Sequence, residues 1–393
     1  MTHPLFSPER HEALLDEPWD PAAVERALAD IVRDVTGAAQ GGTWPGHPLE
    51  DGGADAHTLY MGAAGILWGL EHLAREGAVE LDPRLAGWAA ELPERYLAAP
   101  DTGAVVPSYF LGESGVLLAA LRFTRRREWA DRLFVAARSN VEHPARELLW
   151  GAPGTGVAAA LAHELTGEEQ FRELYVESAE ALLRTWQRHE GDEIELWTQD
   201  LYGQQRRLLG AAHGFAGNVS SLLRGLSLLP AALQRAIVQR ATTVLRATAL
   251  WDDGAANWPP LPGSQQLLLQ WCHGAPGIVT SFGRAPRDPE LDALLAAGGE
   301  TVWRAGPLRK GSNLCHGTAG NGAAFLTLFE RSGDELWLTR ARRFAMHAIR
   351  QTEGARAAYG QGRYSLWTGD VGTAVYLQAC LEGASDLPTI DRW

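Results

Sequence analysis

The chain has 393 residues, of which 46% are hydrophobic and 21% are charged, a composition that is ordinary for a globular protein. Its net charge of −13 argues against nucleic acid or an anionic membrane as a partner, because either would repel the protein as a whole. No apolar run approaches the ~18 residues of a membrane span, and the N-terminus lacks the basic start and apolar middle of a signal peptide. We therefore expect a cytoplasmic protein. The three cysteines of the chain are too few for a disulfide framework.

The chain opens with a segment that has no regular period. Residues 1–20 contain three prolines and predict an irregular N-terminal lead-in. From Pro21 onward, apolar residues fall on a single helical stripe as far as Val35. Proline at the first helical position is favoured, so this stripe predicts the first helix.

Beyond this helix, one pattern recurs: an amphipathic helix, a loop, a Gly-x-x-Gly and a mostly apolar run that is compatible with a second helix. The first glycines of the seven copies are Gly62, Gly112, Gly151, Gly214, Gly274, Gly317 and Gly369. The later amphipathic candidates are Leu85–Leu97, Trp129–Val141, Phe171–Leu182, Ala232–Ala249, Pro289–Ala305 and Glu335–Arg350. The helix over Leu85–Leu97 has the least support, because Pro93 interrupts it.

Seven apolar helices alternating with seven amphipathic ones predict an all-α fold, an α/α toroid with an inner ring inside an outer ring. A helix that is apolar nearly all round must be buried on most sides, which such a double ring provides. An open helical solenoid is the main alternative. No interval between repeats is long enough for a second domain, so we expect a single domain over residues 21–393. All inner helices would begin on one face, which would bring positive dipole ends and free backbone N–H groups to one cavity.

The residues just before each Gly-x-x-Gly differ between repeats. The first three repeats have apolar residues there, whereas the fourth to sixth carry His213, Cys272-His273 and Cys315-His316. If equivalent positions are equivalent in space, these five side chains converge on one sector of one face. Two cysteines and one histidine with an open fourth place are typical of a catalytic zinc site.

Other interpretations of these residues stay open. Cys272 and Cys315 could form a disulfide, although a reducing compartment argues against it, or they could be inert buried cysteines beside a core histidine. His273 could replace His316 as a ligand, because neighbours on one turn cannot easily both reach a metal. Cys380 lies inside the last apolar run, and we expect it in the core.

The two Cys-His-Gly motifs, Trp271–Gly277 (WCHGAPG) and Leu314–Asn321 (LCHGTAGN), set within seven Gly-x-x-Gly repeats, resemble those of the LanC-like family. That family comprises the bacterial lanthionine cyclases and their eukaryotic LanC-like relatives, and the resemblance covers the chain from about Pro21 to Leu381. It implies an α/α toroid with one Zn²⁺ ion held by Cys272, Cys315 and His316. It also implies thioether formation, in which a thiolate adds to the β-carbon of dehydroalanine or dehydrobutyrine in a peptide or protein.

Three residues are candidates for the catalytic set. His213 matches the acid/base histidine of the family, which would protonate the enolate that the addition creates; a core histidine bonded to a carbonyl is the alternative. Glu147 stands where the cyclases have aspartate and where the eukaryotic branch has glutamate. His273 stands where the cyclases often have tyrosine.

Two basic residues are candidates for substrate binding. Lys310 matches a lysine that contacts glutathione in the eukaryotic branch, and a solvated loop lysine is the alternative. Arg363 is a second candidate to anchor an anion. Leu268 stands where the cyclases often have arginine. These features favour the glutathione-adding branch over a dedicated lantibiotic cyclase.

The function that we predict from the residues and the resemblance is zinc-dependent C–S bond formation, with a peptide cysteine or glutathione as the thiol donor. The alternatives are a non-catalytic zinc-containing protein that binds peptide or glutathione, and another toroid enzyme. A glycosidase needs paired carboxylates, yet the starts of the apolar helices offer only Glu113 and Asp370. A prenyltransferase would need an aspartate ligand and usually a partner subunit. Whether a dehydratase or a kinase acts with the protein stays open.

Overall fold

The computed structural model describes residues 5–50, 55–188 and 193–393, which form fourteen α-helices and two short 3₁₀ turns. The outer helices are Pro21–Ala38 (α1), Leu85–Ala98 (α3), Arg127–Ser139 (α5), Glu169–Arg184 (α7), Ala231–Thr248 (α9), Pro289–Ala305 (α11) and Glu335–Tyr359 (α13). The inner helices are Ala63–Arg75 (α2), Glu113–Thr124 (α4), Ala152–Thr166 (α6), Phe215–Arg224 (α8), Ala275–Ser281 (α10), Thr318–Ser332 (α12) and Asp370–Glu382 (α14). The 3₁₀ turns are Pro8–Arg10 and Leu226–Leu228.

The inner helices form a closed ring. Each one packs against the next in chain order, and α14 packs against α2, which completes the circle. The outer helices lie against the inner ones: α7 packs on α6, for example, and α1 packs on α14. The predicted α/α toroid is therefore confirmed. The open solenoid is wrong, because a solenoid would leave the first and last inner helices apart.

Helix boundaries follow the repeat pattern. Every inner helix begins at the residue after the first glycine of its Gly-x-x-Gly, so this glycine is the N-cap. The helix predicted over Leu85–Leu97 is confirmed, and Pro93 lies inside it. Helix α13 is longer than predicted and continues to Tyr359. Among the residues that the structure describes, no helix has both the length and the apolar character needed to cross a bilayer.

The second glycine of each repeat is required by a close backbone approach. A Cβ atom on Gly320 would lie 1.8 Å from the carbonyl oxygen of Leu314, and the equivalent distances in the other six repeats are 1.9–2.2 Å. The same Cβ would lie 3.1 Å from the Cβ of Trp271 in the preceding repeat. The ring closes in the same way, because a Cβ on Gly65 would lie 2.9 Å from the Cβ of Leu366 in the last repeat. These glycines therefore permit packing both within a repeat and between repeats.

The first N–H group is bonded in six of the seven inner helices, and for these six the sequence prediction of free amides is wrong. In five of the seven helices, the loop folds back and the carbonyl oxygen seven residues earlier accepts from the first helical N–H, as Gly311 accepts from Thr318 at 2.9 Å. In α10 the first N–H, that of Ala275, donates to Oδ1 of Asn257 at 2.8 Å. The helix starts share one face, but these amides are bonded to their own loops.

Three short antiparallel hairpins, which the sequence pattern did not predict, lie in the loops after α7 and α9. They pair Gln187–Arg188 (β1) with Glu195–Leu196 (β2), Gln199–Leu201 (β3) with Gln204–Arg206 (β4), and Leu250–Asp252 (β5) with Ala255–Asn257 (β6). Two of them turn through a pair of left-handed residues, Tyr202-Gly203 and Asp253-Gly254. Asp-Gly is a common sequence for such two-residue turns, so this signal was present in the chain.

The segment before α1 lies along α13 and the loop that follows α11. His11 Nδ1 is 2.9 Å from the carbonyl oxygen of Gly306, and His347 Nε2 is 2.7 Å from a carboxylate oxygen of Glu12. Apart from the turn Pro8–Arg10, residues 5–20 are irregular in backbone. The segment is nevertheless held to the ring by specific polar contacts.

Candidate active site

A belt of backbone hydrogen bonds joins the loops in front of the inner helices. In six of the seven repeats it runs through the residue two positions before the first glycine, which we call the belt position. Five N–H···O=C bonds of 2.8–3.4 Å link six belt positions in ring order. The donor and acceptor pairs are Ala212 and Cys272, Cys272 and Cys315, Cys315 and Trp367, Trp367 and Tyr60, and Tyr60 and Phe110. Equivalent positions of the repeats are therefore neighbours in space, as the sequence pattern predicts.

Cys272 and Cys315 occupy adjacent belt positions, so their side chains lie together. Both are free, buried thiols within hydrogen-bonding reach of each other. The hydrogen bond from Cys315 is the main reason that the pKa of Cys272 is lowered, and the pKa of Cys315 is raised well above its ordinary value. The pair therefore loses its first proton more readily than its second. Cys380 is buried within α14, as predicted for a core residue.

Each thiol also accepts a hydrogen bond from a neutral side chain. The hydroxyl of Tyr60 donates to Sγ of Cys315 at 2.8 Å, and Nε2 of Gln270 donates to Sγ of Cys272 at 2.9 Å. Burial raises the pKa of Tyr60 well above its ordinary value, so this hydroxyl keeps its proton. Sequence reasoning missed both residues, although Tyr60 stands at the belt position of the first repeat.

His316 follows Cys315 in the chain, and its backbone N–H donates to Oδ1 of Asn313 at 3.0 Å. Burial, together with the charges of Lys310 and Arg363, lowers the pKa of His316 to about 4, so its imidazole is neutral near pH 7. Two thiols and a neutral imidazole are a donor set that zinc takes in sites with an open position, so the residues fit this metal. Over the described ranges, no three His, Cys, Asp or Glu side chains are already arranged as a metal cluster. The zinc ion and its three ligands, Cys272, Cys315 and His316, therefore stay predictions.

His213 is held by a buried carboxylate. Its Nδ1 lies 2.8 Å from Oε2 of Glu147, whose side chain is 0% exposed and also accepts from the backbone N–H groups of Leu149 and Trp150. Burial disfavours the charged form of His213. The hydrogen bond to Glu147 and the negative charge of Glu147 outweigh burial, so the pKa of His213 is raised. Two of the three catalytic candidates are thus in direct contact. Their contact leaves Nε2 of His213 available to a substrate.

His273 lies beside His213, with 6.4 Å between the ring centroids. Burial and the neighbouring His213 lower the pKa of His273 to about 4, so the ring is neutral. Its Nδ1 is buried and has no hydrogen-bond partner among the described residues. Gly210 permits this packing, because a Cβ there would lie 2.6 Å from that nitrogen. A neutral imidazole with an unpaired nitrogen can bond a polar group of a substrate.

The two candidate binding residues line one small cavity of about 40 Å³. Lys310 is the only lysine of the chain, and its charge acts on both thiols and on His316. Arg363 is already engaged: its Nε lies 2.6 Å from Oε1 of Glu50, and its Nη2 donates to the carbonyl oxygen of Leu49 at 3.1 Å. The structure thus places both residues together, with Arg363 bound to a carboxylate.

The hairpin of β3 and β4 puts an exposed aromatic residue next to His213. Tyr202, at the hairpin tip, has its ring centroid 6.5 Å from that of His213. The hydroxyl of Tyr202 accepts from Nε1 of Trp150 at 3.0 Å. Sequence reasoning missed Tyr202 because it missed the hairpin. Because Tyr202 lies beside His213, the tip of this hairpin forms part of the rim around the His213–Glu147 pair.

Comparisons with known proteins show which family and fold the chain resembles. The family model described as "Lanthionine synthetase C-like protein" matches residues 53–391. The chain is 29% identical over 348 residues to glutathione S-transferase LANCL1 of Danio rerio, covering 83% of each protein. It is 31% identical over 150 residues to LanC-like protein GCL1 of Arabidopsis thaliana, covering 37% of this chain and 33% of the plant protein.

Among solved structures, nisin cyclase superposes with a TM-score of 0.63, covering 93% of this chain and 94% of the cyclase. The sequence identity is 15%, so this likeness concerns the fold alone. The family match, in contrast, extends over most of the sequence and includes both Cys-His-Gly motifs. The chain belongs to the lanthionine synthetase C-like family.

Proposed function

We propose that this protein is a zinc-dependent enzyme that forms a C–S bond by adding a thiol to dehydroalanine or dehydrobutyrine in a peptide or protein. The observation that carries the proposal is the pairing of two free, buried thiols, Cys272 and Cys315, close to a histidine held by a buried carboxylate. Family membership supports this reaction class. The fish relative is named a glutathione S-transferase, which supports glutathione as one thiol donor.

Cys272, Cys315 and His316 would hold the zinc ion. Bound zinc lowers the pKa of a thiol that coordinates it, so that the thiol is deprotonated near neutral pH. Both thiols of the site, Cys272 and Cys315, are committed as ligands in this scheme, and Cys380 is buried in α14 outside it. The reacting sulfur therefore comes from outside the chain, from a peptide cysteine or from glutathione.

His213 would supply the proton that completes the addition. As the S–C bond forms at the β-carbon, the electron pair of the C=C bond moves to the α-carbon and its carbonyl group as an enolate. His213 then gives a proton from Nε2 to the α-carbon while its Nδ1 stays bonded to Glu147. The proton lost by the thiol balances the one gained by the product, so the reaction needs no oxidant or reductant.

The remaining site residues would bind the substrates. The neutral ring of His273 can donate to the carbonyl oxygen on which enolate charge develops. Lys310 would attract a carboxylate of glutathione, and Arg363 would add positive potential while it stays paired with Glu50. The dehydroamino acid itself must come from an enzyme that dehydrates serine or threonine, directly or after phosphorylation by a kinase.

Turnover by the zinc-loaded protein tests the proposal. A dehydroalanine peptide is incubated once with glutathione and once with its own internal cysteine, and product mass and thiol loss are followed. We expect at least one addition to be faster than without protein, and Cys380→Ala, which changes a buried thiol outside the site, to leave the rate unchanged. A protein that binds one zinc ion but accelerates neither addition would overturn the enzyme proposal and favour the non-catalytic alternative.

The single lysine gives a separate test of the thiol donor. An amine-reactive acetylating reagent can modify only Lys310 and the N-terminal amine, which mass spectrometry distinguishes. We expect glutathione to slow acetylation of Lys310 relative to that of the N-terminal amine, which corrects for reagent consumed by glutathione itself, and an uncharged thiol of similar size to leave this ratio unchanged. An equal ratio in both cases would remove Lys310 from the glutathione site and leave the reaction class intact.

A further inference from the structure

We infer that Tyr60 and Gln270 are positioning residues for the two thiols that hold the metal. Each donates one hydrogen bond to one sulfur, at 2.8 Å to Cys315 and 2.9 Å to Cys272, and so sets how much charge that sulfur gives to the zinc ion. The inference rests on the proposed function, because it concerns the same metal. It adds two residues from separate parts of the chain that neither cysteine motif contains.

Tyr60 is aimed at Cys315 by contacts on both its backbone and its ring. Its N–H donates to the carbonyl oxygen of Phe110 at 3.0 Å, and its carbonyl oxygen accepts from Trp367 at 3.3 Å. Its ring is stacked on Trp367, with centroids 6.4 Å apart and planes within 12°. The belt places Trp367 between Tyr60 and Cys315, so the tyrosine hydroxyl reaches across one belt position to the sulfur.

Gln270 is fixed in a different way. Its backbone N–H and carbonyl oxygen both bond to His273 at 3.0 Å, which closes a tight turn around Cys272. Its Oε1 accepts from Nη2 of Arg10 at 3.5 Å, so the amide turns its Nε2 towards the sulfur. Gln270 is 7% exposed, and this burial protects the contact from water. The N-terminal segment thereby reaches the metal site through one side chain.

Hydrogen bonds to a ligand sulfur tune a metal site, since they withdraw electron density from the sulfur. A sulfur that gives less charge would leave a bound zinc ion more electrophilic, and such an ion would lower the pKa of an incoming thiol further. Both donors are neutral, so they tune the sulfurs without changing the net charge of the site.

Two substitutions remove the donors and keep the volume: Tyr60→Phe and Gln270→Met. Zinc affinity is measured by competition with a chelator, and the sulfur-to-metal charge-transfer band is recorded after cobalt substitution. We expect each variant to bind zinc about 10- to 100-fold more weakly, because a sulfur without its hydrogen bond is less firmly oriented and holds its own proton more tightly in competition with zinc. We also expect the band to move to longer wavelength, because a sulfur without its hydrogen bond is a stronger donor. Tyr109→Phe is the matched control, because that buried hydroxyl donates to the carbonyl oxygen of Thr389 at 2.6 Å and touches no thiol.

The outcomes separate this inference from the proposed function. A wild-type protein that binds neither zinc nor cobalt through sulfur would overturn the proposed function. Normal metal binding by the wild type, with affinities within about twofold and an unmoved band in both folded variants, would overturn this inference alone. Should Tyr60→Phe fail to fold, Gln270→Met gives the same decision independently, because its contacts involve a different loop.

Discussion

The second and sixth repeats share a backbone and differ in chemistry. In both, the first glycine caps the inner helix, and a Cβ on the second glycine would meet a carbonyl oxygen, at 2.1 Å for Gly115 and 1.8 Å for Gly320. Both also supply a backbone group to the belt, through Phe110 and Cys315. At this belt position one repeat has an aromatic core residue and the other has a thiol.

This difference separates the residues that build the ring from those that we propose bind the metal and transfer the proton. The glycines and the belt bonds recur around the ring, whereas Cys272, Cys315 and the proposed acid/base residue His213 lie in three consecutive repeats. A substitution at a belt side chain should therefore act differently according to its repeat. In the sixth repeat, such a substitution should abolish zinc binding and turnover. In the second repeat, it should lower the free energy of unfolding.

The largest effect should come from Cys315→Ala. We expect it to lower zinc affinity by more than the ~100-fold that loss of an outer partner costs, and to abolish turnover, because a ligand is lost. Phe110→Ala, at the equivalent position, should destabilise folding by about 3–5 kcal/mol and leave zinc stoichiometry at one. Metal analysis and denaturant unfolding of both variants check the pair. Retention of one full zinc equivalent by Cys315→Ala would refute the ligand assignment.

His213→Asn should act on the proton transfer alone. We expect turnover to fall by about 10²–10⁴-fold, the usual contribution of a general acid, with zinc binding unchanged. Rapid-mixing measurement of product formation and chelator competition give the two readouts. Turnover within about threefold of the wild type would assign the proton to another group.

Gly320→Ala tests whether the second glycine of a repeat is needed for the close approach of the helix to the preceding loop. The new methyl group would collide with the carbonyl oxygen of Leu314, so we expect a loss of at least ~1–3 kcal/mol in the free energy of unfolding. Gly115→Ala should cost a similar amount, because its contact in the second repeat is equivalent. The control is Gly354→Ala in α13, where no atom lies within 4 Å of the added Cβ and stability should rise by about 0.5–1 kcal/mol.

Glu147→Gln should change the pH dependence more than the maximal rate. The carboxylate raises the pKa of His213 against the opposing effect of burial, so its loss should lower that pKa. The acid form is the reactive one, and the alkaline limb of the pH–rate profile should therefore move to lower pH. An unmoved alkaline limb in an otherwise active variant would show that His213 does not act as the acid.

The sequence contained enough to predict the ring and the neighbourhood of the site. Seven apolar runs that follow Gly-x-x-Gly predicted the inner helices, and the shared position of Cys272 and Cys315 predicted that they meet. Both inferences rely on local periodicity and on equivalence between repeats, which the belt then provides in three dimensions. The sequence prediction of free amides was wrong for six of the seven inner helices, because a loop carbonyl or an asparagine side chain accepts from the first N–H.

Other features depend on contacts between distant segments, which no local pattern encodes. Tyr60 lies 255 positions before Cys315 in the chain, and Arg10 lies 260 before Gln270. Tyr202 reaches His213 only because a short hairpin turns there through a left-handed tyrosine. The ion pair of Arg363 with Glu50 likewise could not be read from either residue alone.

The central claim is that the protein's thiols hold the metal and that the reacting sulfur comes from outside. X-ray absorption at the zinc edge tests it directly on the zinc-loaded protein before and after glutathione is added. We predict two sulfur neighbours at about 2.3 Å and one nitrogen at about 2.0–2.1 Å at first, and three sulfur neighbours afterwards. A sulfur count that stays the same with saturating glutathione and with a saturating cysteine-containing peptide, or zinc bound without sulfur, would contradict the account.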